Sequence, residues 1–292
     1  MPWPKSLSKL VQRDEVLAGH TSFRIGGPAE FYAEPEDEQE LVKLLRSARR
    51  QGISVSVMGG GTNILVPDHG VRGLVVRTTG LAGEPRFLNG MRVVCRGGCR
   101  LSEVVRMGIL RGLRNVEALA GIPGTVGGAV MGNAGTRLGA IGDFVRTLRF
   151  VDLEGAFHEV GAEGLEFAYR KGPDIEGVIT EVTLQFEKGD PDVVRSRVVD
   201  FLGAREKTQP LWVLSAGCIF KNPGVSGAGQ LIEAVGLKGK KAGRAMVSEK
   251  HANYVINVGG ATAKDVLRLI ERMRKEVLDK KGVRLELELK VW

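Results

Sequence analysis

The sequence has only three cysteines in 292 residues, Cys95, Cys99 and Cys218. That is too few for a disulfide framework in a chain of this length. Cys95 and Cys99 share the segment CRGGC, with no second Cys/His pair nearby to complete a tetrahedral zinc site. They read as two small residues flanking a tight Gly-Gly turn. Aromatic residues make up only 5%, and no stretch interleaves them with Lys/Arg as single-strand nucleic-acid binders do. Long apolar runs are missing too. None approaches the ~18 residues of a membrane span, and the opening MPWPKSLSKL lacks the apolar core of a secretion signal. These absences lead to the expectation of a cytoplasmic protein with no membrane partner and no nucleic-acid partner.

Glycine, by contrast, is abundant: 41 residues of 292, about twice the ordinary share of ~7%. The glycines fall in clusters without a fixed period, which excludes collagen-like and low-complexity chains. Each cluster marks a place where backbone turns with positive φ or closely approaches something else. The formal charge is +8, from 42 basic and 34 acidic side chains. Spread along the chain, it suits a phosphorylated small molecule better than a nucleic-acid track.

The length suggests about two domains with real cores. A strand at AEFYAEP precedes a helix over DEQELVKLLRSARRQG, whose Leu41, Leu44 and Leu45 recur at helical spacing behind Asp37 and Glu38. Residues 53–58 alternate as a strand and run into Gly59-Gly60-Gly61-Thr62-Asn63. A second group of elements begins with a strand at 91–96 and a helix at 101–111, and the 121–135 glycine loop follows. Strands at 145–152, 158–160 and 177–186 close it, before a helix capped at Asp190-Pro191-Asp192. After Gln209-Pro210 a third group ends in a long helix from Thr262 to Lys281, stopped by Gly282, and a period-two strand LELELK at 285–290. Strands and helices alternate without a strict βαβ rhythm, so the fold class is α+β. The expected division is 1–80, 81–206 and 207–292.

A dinucleotide's pyrophosphate needs backbone N–H groups aimed at it, with no Cβ in the way. Two stretches offer this: residues 58–63, and the fifteen-residue loop Gly121-Ile122-Pro123-Gly124-Thr125-Val126-Gly127-Gly128-Ala129 through Asn133 to Gly135. Neither fits a common nucleotide code. A G-x-G-x-x-G started at Gly59 needs glycine where the chain has Ile64, and a P-loop ending at Gly239-Lys240 fails at Ala234 and Lys241. A plain connecting role suffices for the short loop; long irregular glycine loops in compact domains are usually functional.

Five segments in register carry a family resemblance. His20-Thr-Ser-Phe-Arg-Ile-Gly-Gly-Pro-Ala29 resembles an N-T-x-F-x-I-G-G-x-A entry, Gly59–Asn63 a G-G-G-S-N loop, and Gly121–Ala129 a G-I-P-G-x-V-G-G-A loop. Gly217-Cys-Ile-Phe-Lys-Asn-Pro223 and His251-Ala-Asn253 follow in the same order. Together they resemble the UDP-N-acetylenolpyruvoylglucosamine reductases of bacterial cell-wall synthesis, in their compact second form. The resemblance implies a vanillyl-alcohol-oxidase-like (PCMH) FAD-binding portion of two subdomains, 1–80 and 81–206. A substrate-binding domain at 207–292 would follow. It also implies non-covalent FAD, NADPH as hydride donor, a UDP-sugar enolpyruvyl ether as substrate and its lactyl ether as product. The chain is expected to act as a monomer. In this reading Gly59, Gly60, Gly61, Thr62 and Asn63 hold the cofactor. So do Gly121, Ile122, Pro123, Gly124, Thr125, Gly127, Gly128, Ala129 and Asn133.

Adding hydride to an enol ether conjugated with a carboxylate drives negative charge onto that carboxylate. The site therefore needs a cation there and a proton donor for the neighbouring carbon. By resemblance, Arg170 in Phe-Ala-Tyr-Arg170 clamps the carboxylate, Glu288 assists there, and Cys218 donates the proton where most relatives use serine. A thiol, near pKa 8.5, is a far stronger acid than an alcohol. Tyr169, Lys221, Asn222 and Gln230 are expected to reach the substrate, with Lys250 and Asn253 serving it or a turn. Taken alone, Arg170 reads as a surface cation, Glu286, Glu288 and Lys290 as a solvated strand face, and Cys218 as an inert thiol. His20 stands where the resemblance expects asparagine. Three rival readings remain: a related oxidase of another small substrate with FAD bonded to His20 or His69, a non-catalytic flavin-binding module, and a nucleic-acid binder.

Overall fold

The computed structural model describes residues 3–5, 7–224 and 226–292; Met1, Pro2, Ser6 and Val225 lie outside the described residues. The chain divides into two compact units. One comprises 1–14, 30–60 and 72–203; the other comprises 15–29, 61–71 and 204–292. One of the points where the chain passes from one unit to the other lies in the short glycine loop, between Gly60 and Gly61.

The first unit is built around a five-stranded antiparallel sheet in the order Phe157–Gly161, Val145–Asp152, Gly177–Gln185, Arg92–Arg96, Arg86–Leu88. Val182 pairs with Cys95 and Leu184 with Val93, and all four side chains are buried, as period-two patterning requires. The helix Leu101–Leu110 packs Leu101, Val104 and Val105 into the same core. A second core gathers Phe31, Leu74 and Val76 from strands against Leu41, Leu44, Leu45 and Ala48 of the helix Glu38–Arg50. Asp37, which the sequence places in the first turn, instead caps that helix by accepting from the Glu40 N–H at 2.8 Å. Between Cys95 and Cys99 the chain passes so close to its neighbours that only glycine fits. A Cβ on Gly97 would lie 2.0 Å from the Ile179 carbonyl oxygen, and one on Gly98 2.0 Å from that of Thr78. Burial raises both thiols' pKa values, that of Cys99 to about 11, so neither is a thiolate near neutrality.

The second unit sets a three-stranded antiparallel sheet, Lys241–Ala242, Ala245–Val247 and Val255–Asn257, against the helices Ala228–Ala234 and Ala263–Lys281. Thr262 and Asp265 form a capping box on the long helix, and Gly282 ends it with φ +68°. Phe23, Ile25 and Leu65 complete this core. The terminal strand Lys290–Val291 pairs in parallel with Ile64–Leu65.

The predicted period-two strand at 285–290 is not regular. The amides of Glu288 and Leu289 both donate to the carbonyl of Ile219, at 2.9 and 3.2 Å. Two residues thus oppose one, as in a β-bulge, and the alternation slips at Glu288. The helix capped by Asp190, whose Oδ1 accepts from the Asp192 and Val193 amides, spans Pro191–Thr208. Among the described residues no helix is long and apolar enough to cross a membrane.

Candidate functional site

In the first unit the strand Val55–Met58 delivers Gly59 to the 121–135 loop. A Cβ on Gly59 would lie 2.6 Å from Thr125 Oγ1 and 3.8 Å from Gly128 Cα, so the two glycine loops meet there. Thr125 is buried and its hydroxyl accepts from the Gly128 N–H at 3.2 Å, capping the one-and-a-half-turn helix Val126–Met131. The Val126 and Gly127 amides are bonded to Cys99 and Gly97, which fixes the loop to the sheet. Gly121 and Gly124 have φ of +71° and +107°, open only to glycine at ordinary cost. Among the described residues the backbone N–H groups of Gly59, Gly60, Gly121 and Gly124 meet no protein acceptor. Amides of this kind, unshielded by side chains, are suited to an anion.

Asn133, predicted to touch the cofactor, has both ends of its amide occupied. Its NH2 donates to the Ala168 carbonyl at 2.8 Å, and its oxygen accepts from the Gly142 N–H at 3.1 Å. It ties the loop to a tight turn. Ala168 and Lys171 exchange both backbone hydrogen bonds around Tyr169 and Arg170. Arg170 there adopts φ +56°, which an L-residue reaches only at a cost of about 1–2 kcal/mol. Its guanidinium lies 5.2 Å from the centre of the exposed Tyr169 ring. A strained cation at a turn tip, anchored by a buried amide, is a pattern of held geometry.

In the second unit Gly61 is buried. Its φ is +65°, and a Cβ would lie 2.2 Å from the His20 carbonyl oxygen. Asn63 donates to the carbonyl of Glu288 at 3.2 Å and accepts from the Lys290 N–H at its own carbonyl, so the short loop steadies the segment carrying Glu288. Glu286 is exposed and ion-paired to Lys221, whereas Glu288 is half-buried. Asn222 Oδ1 accepts from the Ala228 N–H at 3.0 Å, and Gln230 Oε1 from the Gly227 N–H at 3.3 Å. Both cap the helix Ala228–Ala234. Cys218, partly exposed, bridges Tyr254 across an antiparallel contact. Asn253 is buried and clamps the main chain of Phe220. That is the turn-holding role rather than a free ligand; Lys250 stands exposed in the turn before it. Tyr254 stands beside Cys218 and in turn meets Gln209 and Arg205; none of the three was singled out from sequence as a site residue. Only the position of Tyr254, two residues beyond Ala252 of the HAN motif, could have pointed to them.

Residues 209–292 match the C-terminal domain model of UDP-N-acetylenolpyruvoylglucosamine reductase, and residues 29–161 match an FAD binding domain. The UDP-N-acetylenolpyruvoylglucosamine reductase of Moorella thermoacetica is 42% identical over 283 residues, 97% of this chain and 93% of that one. The chain belongs to the UDP-N-acetylenolpyruvoylglucosamine reductase family. A second member, from Heliobacterium modesticaldum, is 41% identical over 96% of this chain and 90% of its own. The solved structure of the Thermus caldophilus enzyme of that name matches with a TM-score of 0.83 and 37% identity, covering 97% and 98%. The α+β fold is therefore that of the family.

The glycine cradle fits the cofactor named by the matched domain. Four unshielded amides suit a pyrophosphate, and Cβ atoms at Gly59 or Gly128 would crowd it or Thr125.

Proposed function

We propose that this chain is an FAD-dependent reductase that uses NADPH to convert UDP-N-acetylglucosamine enolpyruvate to UDP-N-acetylmuramate, a step of peptidoglycan synthesis. The observation that carries the reading is the meeting of Gly59 with Thr125 and Gly128, in a chain whose relatives along its whole length bear that reductase's name. FAD, when bound, would supply hydride transfer between NADPH and the substrate's terminal methylene. Gly59, Gly60 and the Gly121–Ala129 loop would hold its pyrophosphate, with Gly61, Thr62 and Asn63 contributing to the same group. Asn133 contributes by fixing the loop.

The protein's own groups manage charge. Arg170 pairs with the substrate carboxylate, where the electron pair of the former double bond is delocalised, and Glu288 assists at that end. Cys218 gives its thiol proton to the adjacent carbon; the S–H bond breaks, a C–H bond forms, and the thiolate is reprotonated by water. Tyr169, Lys221, Asn222 and Gln230 receive the sugar and diphosphate, and the helix-capping hydrogen bonds of the last two preset their positions. Residues 1–80 and 81–206 serve as FAD-binding subdomains and 207–292 as the substrate-binding domain. The protein works as a cytoplasmic monomer without nucleic acid.

Rapid mixing under anaerobic conditions tests the reading. In Cys218→Ala, flavin reduction by NADPH stays near wild type while re-oxidation by the enolpyruvyl sugar collapses; Cys218→Ser keeps substantial turnover. Equal losses in both half-reactions would remove Cys218 from the donor role. Flavin colour released on denaturation, rather than retained on the chain, separates this reading from a His20- or His69-linked oxidase.

A further inference from the structure

The Tyr254 hydroxyl, almost completely buried, stands among three polar groups of the second unit: Gln209, Arg205 and Cys218. It donates to Gln209 Oε1 at 3.2 Å. The same oxygen also accepts from Arg205 Nε and a terminal guanidinium nitrogen, at 3.1 and 2.9 Å. An amide oxygen has two lone pairs, so three donors oversubscribe it. The Tyr254 proton is thus the loosely held one, and the Cys218 sulfur lies within its reach. The antiparallel bridge between the main chains of Cys218 and Tyr254 fixes that pairing.

A phenol has one proton to give. While Cys218 is a thiol its sulfur is a weak acceptor, and the hydroxyl rests on Gln209. Once the thiol has lost its proton, the thiolate is the strongest acceptor nearby, and a charge-assisted bond to it outcompetes a shared amide oxygen. We propose that Tyr254 is a positioning residue for the reaction: its hydroxyl turns from Gln209 to the Cys218 sulfur as that sulfur becomes a thiolate, which makes the thiol a stronger acid. Arg205, bonded to the same Gln209 oxygen, adds positive charge beside the hydroxyl. The inference rests on Cys218 being the proton donor.

Two further ionisable groups lie around the pair. His251 stands edge-on to Tyr254 with ring centroids 5.2 Å apart, and burial, then Lys238, holds its pKa below the usual range. Its neutral form is thereby favoured. Glu288 follows the other strand edge, its amide bonded to Ile219. Burial, and after it Cys218, pushes the Tyr254 phenol far above its ordinary value, so it remains a donor throughout.

Tyr254→Phe keeps the ring and the bridge and deletes the hydroxyl. The readout is the pH dependence of Cys218 alkylation by iodoacetamide in the holoenzyme, followed on the Cys218 peptide by mass spectrometry. The midpoint is expected to rise by about one pH unit, which is roughly tenfold less thiolate at neutral pH. Gln209→Leu removes the competing acceptor and is expected to move the midpoint the opposite way. Re-oxidation of reduced flavin by substrate slows about tenfold in Tyr254→Phe, with NADPH reduction unchanged. An unmoved midpoint in Tyr254→Phe, or shifts of the same sign in both variants, overturns the proposal. A normal re-oxidation rate in Cys218→Ala would instead sink the donor assignment, while alkylation still reports the Tyr254–Cys218 link.

Discussion

The side-chain amide of Asn253 holds both polar groups of the Phe220 main chain, accepting from its N–H at 2.9 Å and donating to its carbonyl at 2.8 Å. Phe220 is fully buried, and it lies two residues beyond Cys218. One side chain therefore fixes the path of the GCIFKNP segment.

Asn253→Ala orphans two buried backbone groups, each worth about 1–3 kcal/mol. A loss of about 2–4 kcal/mol in urea unfolding is expected, with FAD retained in the folded fraction. A change under 1 kcal/mol would show that water replaces the amide.

Arg170 can be separated from stability. Arg170→Gly removes the guanidinium and relieves the left-handed backbone, so unfolding free energy should change by no more than about 1 kcal/mol. Flavin reduction by NADPH should persist while reduction of the substrate falls about 10²–10³-fold. A large stability loss would instead make Arg170 part of the fold.

Gly59→Ala places a methyl group against the Thr125 hydroxyl at 2.6 Å. FAD retention is expected to weaken about tenfold or more, equivalent to about 1.4 kcal/mol. The control is Gly203→Ala, in the Pro191–Thr208 helix with nothing within 4 Å, which should keep FAD and gain about 0.5–1 kcal/mol of stability. Equal FAD titration curves for the two variants would move the cradle elsewhere.

His251 predicts an acid-side instability. Its folded pKa is lowered, chiefly by burial, so the unfolded chain takes up the proton first as pH falls. Its stabilising share is complete above the unfolded value near 6.5 and is lost below it. Thermal midpoints of wild type should drop between pH 7.5 and 5.5 more steeply than those of His251→Gln. Parallel curves would exclude His251 as the source.

Much of this was legible where local chemistry decides. Thr262 and Gly282 announced the long helix because caps are local, and the glycines of 121–135 announced their loop because positive φ leaves few other residues. Glu288 was harder. The LELELK pattern reads as strict alternation, yet its register is set by Ile219, some seventy residues away, and the bulge there leaves Glu288 half-buried beside an exposed Glu286. Asn133 reads from sequence as a cofactor contact by its place in the loop; its hydrogen bonds to Ala168 and Gly142 appear only in the fold, because the Ala168 turn lies 35 residues away. The Arg205–Gln209–Tyr254 group escaped notice for the same reason, since its members acquire meaning only around Cys218.

The second unit draws one core from Phe23, Ile25, Leu65 and the last eighty residues, with Leu289 among them. During synthesis at about 5–20 residues per second, Phe23 is added roughly 13–53 s before Leu289. Its aromatic ring waits for most of its native partners, which lie beyond residue 215. Chaperone dependence, and aggregation of chains stalled before Leu285, should therefore track the N-terminal entry segment, and residues 204–292 expressed alone should lack the apolar surface that closes their core.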